Sequence, residues 1–318
     1  MRTLIAAVAL SALATTTVAD TINVPGDYIL IQDAIDASVS GDVINIAAGT
    51  HYEANLDPGG KAITIQGTLN EDGSPATIVD AQGGGNVFTF VSSEDAETVL
   101  SNMVITGGSD AAIDGGGIYC NQSSPTIAGC TINENTSNNR GGGISCYNNS
   151  APTLIECIIA DNMANQGGGI HCNNSSPNIT DCTITGNQSL QEGGGIHCYN
   201  DGNPTITDCT FTNNSAVTQG GGISCQSSSP IISDSAICGN TPDQIYGNYN
   251  DNRGNTVADE CPILCLGDIN DDLIVDGGDL SLLLGAWLTG NAAADINGNG
   301  TVDGADLALL LGAWGVCP

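Results

Sequence analysis

The sequence predicts a mainly β protein whose chain winds into a solenoid of stacked coils with parallel strands. One observation is a repeated segment, Gly-Gly-Gly-Ile-x-Cys, with five copies 26 or 27 residues apart that begin at Gly115, Gly141, Gly167, Gly193 and Gly220. A second is that apolar and polar residues alternate within each repeat, which is the period of a β-strand, between interrupting Gly, Pro and Asn residues. Strands this short bury no face alone, so the copies are expected to stack into one continuous core.

Further columns of the repeat assign a direction to the side chains. They are Pro125, Pro152, Pro177, Pro204 and Pro230; Ile127, Leu154, Ile179, Ile206 and Ile232; Cys130, Cys157, Cys182 and Cys209, with Ser235 in the fifth place; and Asn135, Asn162, Asn187, Asn214 and Asn240. The Ile and Cys of the motif are expected to face the core, and the residue between them to face solvent. The Asn residues are expected to adopt left-handed turns and stack their amides, and the Gly triplets to allow positive φ or close contact between coils.

The segment before the clean repeats continues the pattern more loosely. Strands are predicted at Ile63–Ile65, Thr77–Val79, Val87–Val91 and Val99–Ile105. The residues from Ile31 to Ala37 predict a short amphipathic helix with Ile31, Ala34 and Ile35 on one face. This helix is expected to cap the open N-terminal end of the core.

The first residues have the pattern of a secretory signal peptide. Arg2 supplies the positive charge, Leu4 to Leu13 an apolar run, and Thr17 to Ala19 a small-residue cleavage site. The alternative is a buried N-terminal helix; the run is too short for a membrane span, and no later run reaches about 18 residues. The predicted organisation is a signal peptide at 1–19, a β-helix at 20–258 and a small module at 259–318, in a secreted or cell-surface protein.

The charge balance excludes several partners. The chain has 35 acidic residues against four Lys and Arg, and its formal net charge is −31. Such a surface repels phosphate backbones, so nucleic acid is not an expected partner. Polyanionic polysaccharides such as pectate and alginate are also expected to be repelled, unless metal ions bridge them to the protein.

Thirteen cysteines in an exported chain indicate an oxidising compartment. Pairing within coils would join Cys120 to Cys130, Cys146 to Cys157, Cys172 to Cys182 and Cys198 to Cys209, and would leave Cys225 alone. The alternative is two columns of unpaired thiols that pack as small hydrophobic groups. Bridges along a column are disfavoured because neighbouring coils hold Cβ atoms nearly 5 Å apart, wider than the roughly 3.5–4.5 Å of a disulfide. Two further predicted pairs are Cys238 with Cys261 and Cys265 with Cys317.

The C-terminal segment contains two copies of an oxygen-rich loop followed by an apolar helix, 27 residues apart. Oxygen ligands at places 1, 3, 5, 7, 9 and 12 are Asp268, Asn270, Asp272, Ile274 (backbone carbonyl), Asp276 and Asp279, then Asp295, Asn297, Asn299, Thr301 (backbone carbonyl), Asp303 and Asp306. Hard oxygen ligands converging from one loop predict Ca²⁺ as the cofactor. The alternative is an Asp- and Asn-rich linker without metal.

Two resemblances follow from these residues. The run from Thr21 through the strands to the Gly-Gly-Gly-Ile-x-Cys repeats, roughly residues 21 to 245, resembles secreted right-handed parallel β-helix proteins of the pectin-lyase-like superfamily. The duplicated loop and helix, about residues 266 to 316, resemble a dockerin type I module. The second resemblance implies a cohesin-type partner and an association with polysaccharide-degrading enzymes. Leu273 stands where the loop expects Gly, and Gly277-Gly278 and Gly304-Ala305 offer little side chain at the recognition places 10 and 11, which argues against cohesin binding.

Candidate active-site residues are few. The resemblance to β-helix lyases implies a basic residue acting with Ca²⁺, and the candidates are Lys61, Arg140 and Arg253, none of them in a recognisable catalytic motif. The polygalacturonase-like Asn-Thr-Asp and Gly-His-Gly signatures are absent from the sequence. The catalytic residues are therefore unknown at this level.

Two columns are candidate substrate or metal faces. His171 and His197 occupy the position between Ile and Cys in adjacent repeats, where they could bind a metal or act as acid and base. The residues before the second Cys column form an acidic stripe that could be bridged by Ca²⁺; they are Glu156, Asp181, Asp208 and Asp234. The alternatives are variable surface residues and a solvated corner.

The expected function is that of a secreted, carbohydrate-directed protein that binds or processes an extracellular polysaccharide or cell-surface glycan. If it is catalytic, it is expected to be a polysaccharide lyase or glycoside hydrolase. The alternative is a non-enzymatic surface or adhesive protein that uses the solenoid as a binding scaffold.

Overall fold

A computed structural model describes residues 19–110, 114–261, 267, 269–270, 274–291, 293–297 and 299–316. The chain divides into two compact units after Asp259. The proposed signal peptide lies almost entirely outside the described residues.

The first unit is a parallel β-solenoid of about nine turns, as the repeat predicts. Each full coil contributes strands to a first and a second sheet and, in the repeat region, to a fourth and then a third sheet. In the described chain the strands of the first sheet are Thr21–Val24, Val43–Ile46, Thr64–Gln66, Val99–Ser101, Thr126–Ala128, Thr153–Ile155, Asn178–Thr180, Thr205–Thr207, Ile231–Ser233 and Asn250–Arg253. Those of the second are Gly49–Tyr52, Thr77–Asp80, Met103–Thr106, Thr131–Asn133, Ile158–Ala160, Thr183–Thr185, Thr210–Thr212, Ala236–Cys238 and Thr256–Ala258.

The other two sheets run beside the Gly triplets. The third sheet consists of Phe88–Phe90, Ile118–Asn121, Ile144–Tyr147, Ile170–Asn173, Ile196–Tyr199, Ile223–Gln226 and Ile245–Tyr246. The fourth consists of Ser109–Asp110, Thr136–Arg140, Met163–Gln166, Gln188–Glu192 and Ser215–Ala216.

The strand register confirms that equivalent residues stack. In the third sheet Cys146 pairs with Cys120 on one side and Cys172 on the other, and His171 pairs with His197. The Ile and Cys columns are buried in one continuous apolar core. Neighbouring coils therefore repeat at the strand spacing, about 4.8 Å.

The N-terminal helix, α1, spans Ile31–Ala37 and buries Ile31, Ala34 and Ile35 in this core, as predicted. The predicted strand at Val99–Ile105 is instead two strands, because Asn102 between them has a φ of 58° and turns the chain from the first sheet to the second. The alternation of apolar and polar residues does not reveal this corner, because a small polar residue such as Asn102 also fits the polar position of a continuous strand.

The Asn column forms the predicted amide ladder inside the core. The Asn135 side chain donates to Asn162 Oδ1 at 3.1 Å, and each later Asn repeats the contact until Gln244 accepts from Asn240 at 2.8 Å. The left-handed conformation was wrongly assigned to this column. It belongs to the residue before each Asn, such as Glu134 with a φ of 53°, because that residue makes the corner while the Asn amide caps backbone carbonyls.

The Gly triplets serve both expected purposes. The first Gly of each has a positive φ, 66° for Gly193. A Cβ atom on the second, Gly194, would lie 2.4 Å from the carbonyl oxygen of Gly221 in the next coil. Only glycine fits where two coils approach this closely.

Of the two alternatives for the cysteine columns, disulfides within coils or unpaired thiols, the structure has the second: two columns of free, buried thiols. They are Cys120, Cys146, Cys172, Cys198 and Cys225, and Cys130, Cys157, Cys182 and Cys209. The first column lies on the third sheet and the second at the corner between the first and second sheets, so each thiol packs against its own column. Cys238 and Cys261 are both disulfide-bonded, as their predicted pairing requires. Cys265 and Cys317 lie outside the described residues.

The second unit has two helices, α2 at Gly277–Gly285 and α3 at Gly304–Gly312, and a short antiparallel pair, Ile274–Val275 with Gly315–Val316. Val275, Leu283, Ala294, Val302 and Leu310 form its small core. At 9 residues each, these helices, like the 7-residue α1, fall well below the roughly 20 residues that cross a bilayer; in the described chain no helix qualifies as a membrane span.

Candidate functional site

The outer face of the third sheet holds the position between Ile and Cys of the repeated motif. The expectation that this position reaches solvent is wrong in the central coils, where Ser145, His171, His197 and Ser224 are fully buried. The physical reason is that longer side chains on the neighbouring columns close over it. The ring of Tyr147 lies 5.4 Å from that of His171, and the ring of Tyr199 lies 6.0 Å from that of His197.

One continuous row of aromatic rings runs along the solenoid axis and consists of Tyr119, Tyr147, His171, His197 and Tyr199. Centroid separations are 6.1 Å from Tyr119 to Tyr147, 5.4 Å from Tyr147 to His171, 5.3 Å from His171 to His197 and 6.0 Å from His197 to Tyr199. Separations of 4.5–7 Å are those of favourable aromatic pairs. The buried histidine rings therefore pack against the tyrosine rings, and Tyr199 remains 39% exposed.

Arg140 ends the fourth-sheet strand beside this row and is held by two polar partners. Its guanidinium donates to the Tyr147 hydroxyl at 3.0 Å and to Gln166 Oε1 at 3.1 Å. Burial and a hydrogen bond with Asp114 raise the pKa of Tyr147 well above its ordinary value, although Arg140 opposes that rise. Tyr147 is therefore a neutral hydrogen-bonding group at neutral pH rather than a base.

Glu192, two coils from Arg140 in the same column, lies over the other end of the row. Its carboxylate accepts hydrogen bonds from Gln219, at 2.9 Å, and from Gln226. Its Oε2 atom lies 3.3 Å from His197 Nε2, without a hydrogen bond between the two groups. Both ring nitrogens of His171 likewise lack a hydrogen-bond partner among the described protein atoms.

Burial determines the protonation of the two histidines. It lowers the pKa of His197 to about 4, with the positive charge of Arg140 adding to the effect. Burial, the neighbouring His197 and Arg140 lower the pKa of His171 well below its ordinary value. Both imidazoles are thus neutral near pH 7, and neither has the protonated form that a general acid requires. In the described part of the chain no group of three or more His, Cys, Asp or Glu side chains is placed to hold a metal ion.

The acidic stripe lies at the exposed corner between the first and second sheets. Glu156, Asp181, Asp208 and Asp234 have φ values of 52°, 53°, 52° and 49°, so they are the turn residues of this corner. Asp234 lies 3.9 Å from exposed Arg253. Lys61 donates to the carbonyl oxygens of Ile35 and Asp36 at the end of α1, which is a structural contact.

A pocket of about 770 Å³ lies at the C-terminal end of the third sheet. Gln219, Gln226, Ser228, Tyr246 and Asn248 are among its lining residues, and none of the lining side chains is charged. Tyr246 pairs with Ser224 and so continues the column of Tyr119, His171 and His197. The pocket is continuous with the row of rings through Gln226, which pairs with Tyr199.

The second oxygen-rich loop folds around the carboxylate of Asp295. Gly300 at place 6 has a φ of 88°, and its N–H, like that of Asn299, donates to the carboxylate of Asp295. Asp303 caps α3, and buried Asp306 completes the capping box by accepting from the Asp303 N–H at 2.8 Å. Backbone N–H groups of Asp303 and Asn297 lower the pKa of Asp306. Asp295, Asn297, Asn299 and the Thr301 carbonyl belong to the same loop, so the donor set fits Ca²⁺.

The described part of the first loop repeats the helix cap and the carboxylate contacts of the second loop. Asp276 caps α2, and Asp279 accepts from the N–H groups of Ile269, Asn270 and Asp276 at 2.7, 3.1 and 2.9 Å. Asp268, Asp272 and Leu273 lie outside the described residues. The predicted ligands of this loop that belong to the described residues are Asn270, Ile274, Asp276 and Asp279.

Sequence reasoning missed Tyr147, Tyr199, Tyr246 and Glu192. Tyr147 and Tyr199 follow the Cys of the motif by one residue, and Glu192 precedes a Gly triplet, so the repeat alignment contained the signal. These three residues stand in the columns on either side of the position between Ile and Cys, which alone carries the two histidines.

Comparisons with known proteins agree with this architecture. Residues 69–194 match the family model for the right handed beta helix region, residues 266–312 match the dockerin type I domain, and residues 208–226 match a Chlamydia polymorphic membrane protein repeat. No curated protein matches the sequence.

Among solved structures, the chain is similar to the pectate lyase Pel9A, with 12% identity and a TM-score of 0.51 over 74% of this chain and 67% of that one. It is also similar to the pectin methylesterase from Aspergillus niger, with 14% identity and a TM-score of 0.42 over 76% of this chain and 91% of that one. At these identities the likeness to Pel9A establishes the fold and nothing finer.

Proposed function

Because the chain is a right-handed parallel β-helix of the pectin-lyase-like fold with a dockerin type I domain, we propose that it is an extracellular protein that binds or processes a polysaccharide. The single observation that carries this proposal is the combination of the two modules in one chain. The solenoid supplies a long, regular outer surface, and a dockerin type I domain is a calcium-binding module suited to attachment.

Experiment can distinguish a protein that only binds a polysaccharide from one that also cleaves it. The full mature chain is incubated with neutral and acidic soluble polysaccharides, with and without Ca²⁺. Retarded migration in a gel containing one polysaccharide supports binding, and new reducing ends or 4,5-unsaturated products support processing. A chain that binds and cleaves none of them contradicts the proposal.

If the protein is catalytic, the described residues favour no familiar mechanism. Lys61 is engaged by backbone carbonyls, Arg140 by Tyr147 and Gln166, and Arg253 lies exposed beside Asp234. This supports binding over turnover, and with it the scaffold function considered as the alternative.

For the second unit we propose Ca²⁺ binding by both loops, with the ligands Asp268, Asn270, Asp272, Ile274, Asp276 and Asp279, and Asp295, Asn297, Asn299, Thr301, Asp303 and Asp306. Bound Ca²⁺ would neutralise the loop carboxylates and tie each loop to the start of its helix. The capping carboxylates Asp279 and Asp306 already draw backbone N–H groups of the loop together, which pre-organises the remaining oxygens.

Calorimetric titration of the full chain with Ca²⁺ tests this assignment. We expect two sites in the wild type and the loss of one in Asp295→Asn, because Asp295 supplies place 1 of the second loop. Glu71→Gln removes an exposed acid outside the loops and serves as the matched control. An unchanged stoichiometry in Asp295→Asn would show that the second loop is not a site.

We propose that a protein partner of the second unit contacts exposed apolar side chains, and not the small residues at loop places 10 and 11. Leu284 with Trp287 and Leu311 with Trp314 are equivalent pairs on the two repeats, and all four are exposed. A cohesin-type partner would find its apolar contacts there. Alanine at Trp287 and Trp314 together is expected to abolish capture by such a partner, which pull-down measures.

A further inference from the structure

We propose that the outer face of the third sheet, from Tyr147 to Tyr246, is a binding site for a neutral, linear polysaccharide that lies along the solenoid axis. This inference rests on the proposed carbohydrate-directed function and names both the surface and the class of glycan.

The spacing of the tyrosines is the first argument. Tyr147 pairs with Asn173, which pairs with Tyr199, so the two rings lie two coils apart, about 9.5 Å along the axis. Tyr199 pairs with Gln226 in the same strand as Ser224, and Ser224 pairs with Tyr246. Tyr246 therefore lies a further two coils along, in the neighbouring column that contains His171 and His197. An extended chain of pyranose rings offers every second sugar to platforms at such intervals.

Exposure is the second argument. Tyr199 and Tyr246 are 39% and 42% exposed, although large aromatic groups gain free energy when buried. The rings of Tyr147 and Tyr199 rest against His171 and His197, which fixes their orientation before a ligand binds. A pre-oriented aromatic platform lowers the entropy cost of binding.

The polar groups between the rings supply hydrogen bonds without charge. Asn173 and Gln226 alternate with the tyrosines in their column, and the terminal pocket is lined by amides, hydroxyls and Tyr246. Sugar hydroxyls both donate and accept, and amide and hydroxyl side chains match both functions. This composition fits a sugar chain better than an apolar partner.

Electrostatics selects the neutral class. The two charged side chains beside the row have opposite signs. Arg140 is hydrogen-bonded to Tyr147 and Gln166, and Glu192 to Gln219 and Gln226. A chain with a formal charge of −31 repels a polyanion over its whole surface. A uronate polymer would meet Glu192 on this face, and the cation beside the row, Arg140, already interacts electrostatically with Asp114.

Variants of the full mature chain test the site by affinity electrophoresis and calorimetry. The neutral probes are mixed-linkage β-glucan, which is linear, and arabinoxylan and galactomannan, whose linear backbones carry side groups. Polygalacturonate and alginate are the acidic probes. We expect at least one neutral glycan to bind with little dependence on NaCl, since no ion pair is involved. Tyr199→Ala and Tyr246→Ala are each expected to weaken that binding roughly tenfold or more, as aromatic anchors do in other interfaces. Tyr199→Phe keeps the ring and is expected to stay within about threefold of wild type.

Tyr52→Ala is the matched control, because Tyr52 is 62% exposed on the second sheet, away from this face. Its affinity is expected to equal that of the wild type, and melting curves confirm that each variant is folded. A neutral glycan whose affinity survives Tyr199→Ala and Tyr246→Ala would overturn this site and leave the proposed function standing. Tyrosine-dependent binding of an acidic glycan would overturn the neutral class, and a wild type that binds no glycan would overturn both proposals.

Discussion

The imidazole rings of His171 and His197 lie 5.3 Å apart on adjacent coils, and both side chains are excluded from solvent. Each ring packs against a tyrosine of the next column, so the pair connects the interior of the solenoid wall to its exposed face. Their neutral state is therefore part of the stability of the fold.

This burial predicts a loss of stability in acid. The folded pKa of His197 is about 4, below an unfolded value near 6.5, so its stabilising contribution is complete above pH 6.5 and disappears as the pH falls towards 4. The difference corresponds to roughly 3 kcal/mol for His197, with His171 acting in the same direction. The other ionisable groups facing the pair in the described chain are Arg140, Glu192, Tyr147, Tyr199 and Asp114.

Urea titrations at about pH 7.5 and pH 4 measure the effect against a double variant, His171→Ser with His197→Ser. Serine is the residue of the same column at Ser145 and Ser224, so the replacement suits the site. The double variant is expected to lose less free energy of unfolding between the two pH values than the wild type, while His51→Gln behaves as the wild type. Equal losses in all three proteins would contradict the assignment.

The amide ladder predicts a large cost for one interior substitution. Asn187 donates to Asn214 Oδ1 and to the Ile159 carbonyl, and accepts from the backbone and amide N–H groups of Asn162. Asn187→Ala leaves several of these buried groups without partners, which we expect to lower the free energy of unfolding by roughly 3–5 kcal/mol. Exposed Asn178→Ala is the control, with an expected change within about 0.5 kcal/mol. Chemical denaturation compares the two, and similar small effects would argue against a cooperative ladder.

The thiol columns predict a specific pattern of reactivity. The nine free cysteines of the described chain are buried, and burial raises the pKa of Cys130 to about 12. We expect these nine thiols to react hardly at all with a thiol reagent in the folded protein, and all nine to react after unfolding in urea without reductant. The predicted pair Cys265 and Cys317, outside the described residues, adds no thiol to this count if it is bridged. Pairing within coils would instead leave Cys225 as the one reactive thiol of this set.

Calcium is expected to stabilise the second unit alone. Both tryptophans of the chain, Trp287 and Trp314, belong to that unit, so their fluorescence follows its unfolding without interference from the solenoid. Ca²⁺ at about one hundred times its dissociation constant should add about 2.7 kcal/mol per linked site. The fluorescence midpoint in urea should therefore rise with Ca²⁺ and fall with a chelator, while the far-ultraviolet transition of the solenoid stays constant. A fluorescence midpoint indifferent to Ca²⁺ would rule out the assignment.

The repeat spacing predicted the coil, the inward columns and the amide ladder, and the apolar pattern of residues 31–37 predicted α1. Side-chain alternation and period are properties of the local chain. The same holds for the two oxygen-rich loops, whose ligand places are set by position along one segment.

Tertiary structure decided which outward residues reach solvent. Alternation gives the direction of His171 and His197, but the rings of Tyr147 and Tyr199 on the adjacent column decide that they are covered. It likewise decided that Cys120 and Cys130 remain free thiols, because each column packs separately along the axis. Burial and pairing depend on neighbours in other coils and columns, and that arrangement exists only once the solenoid has closed.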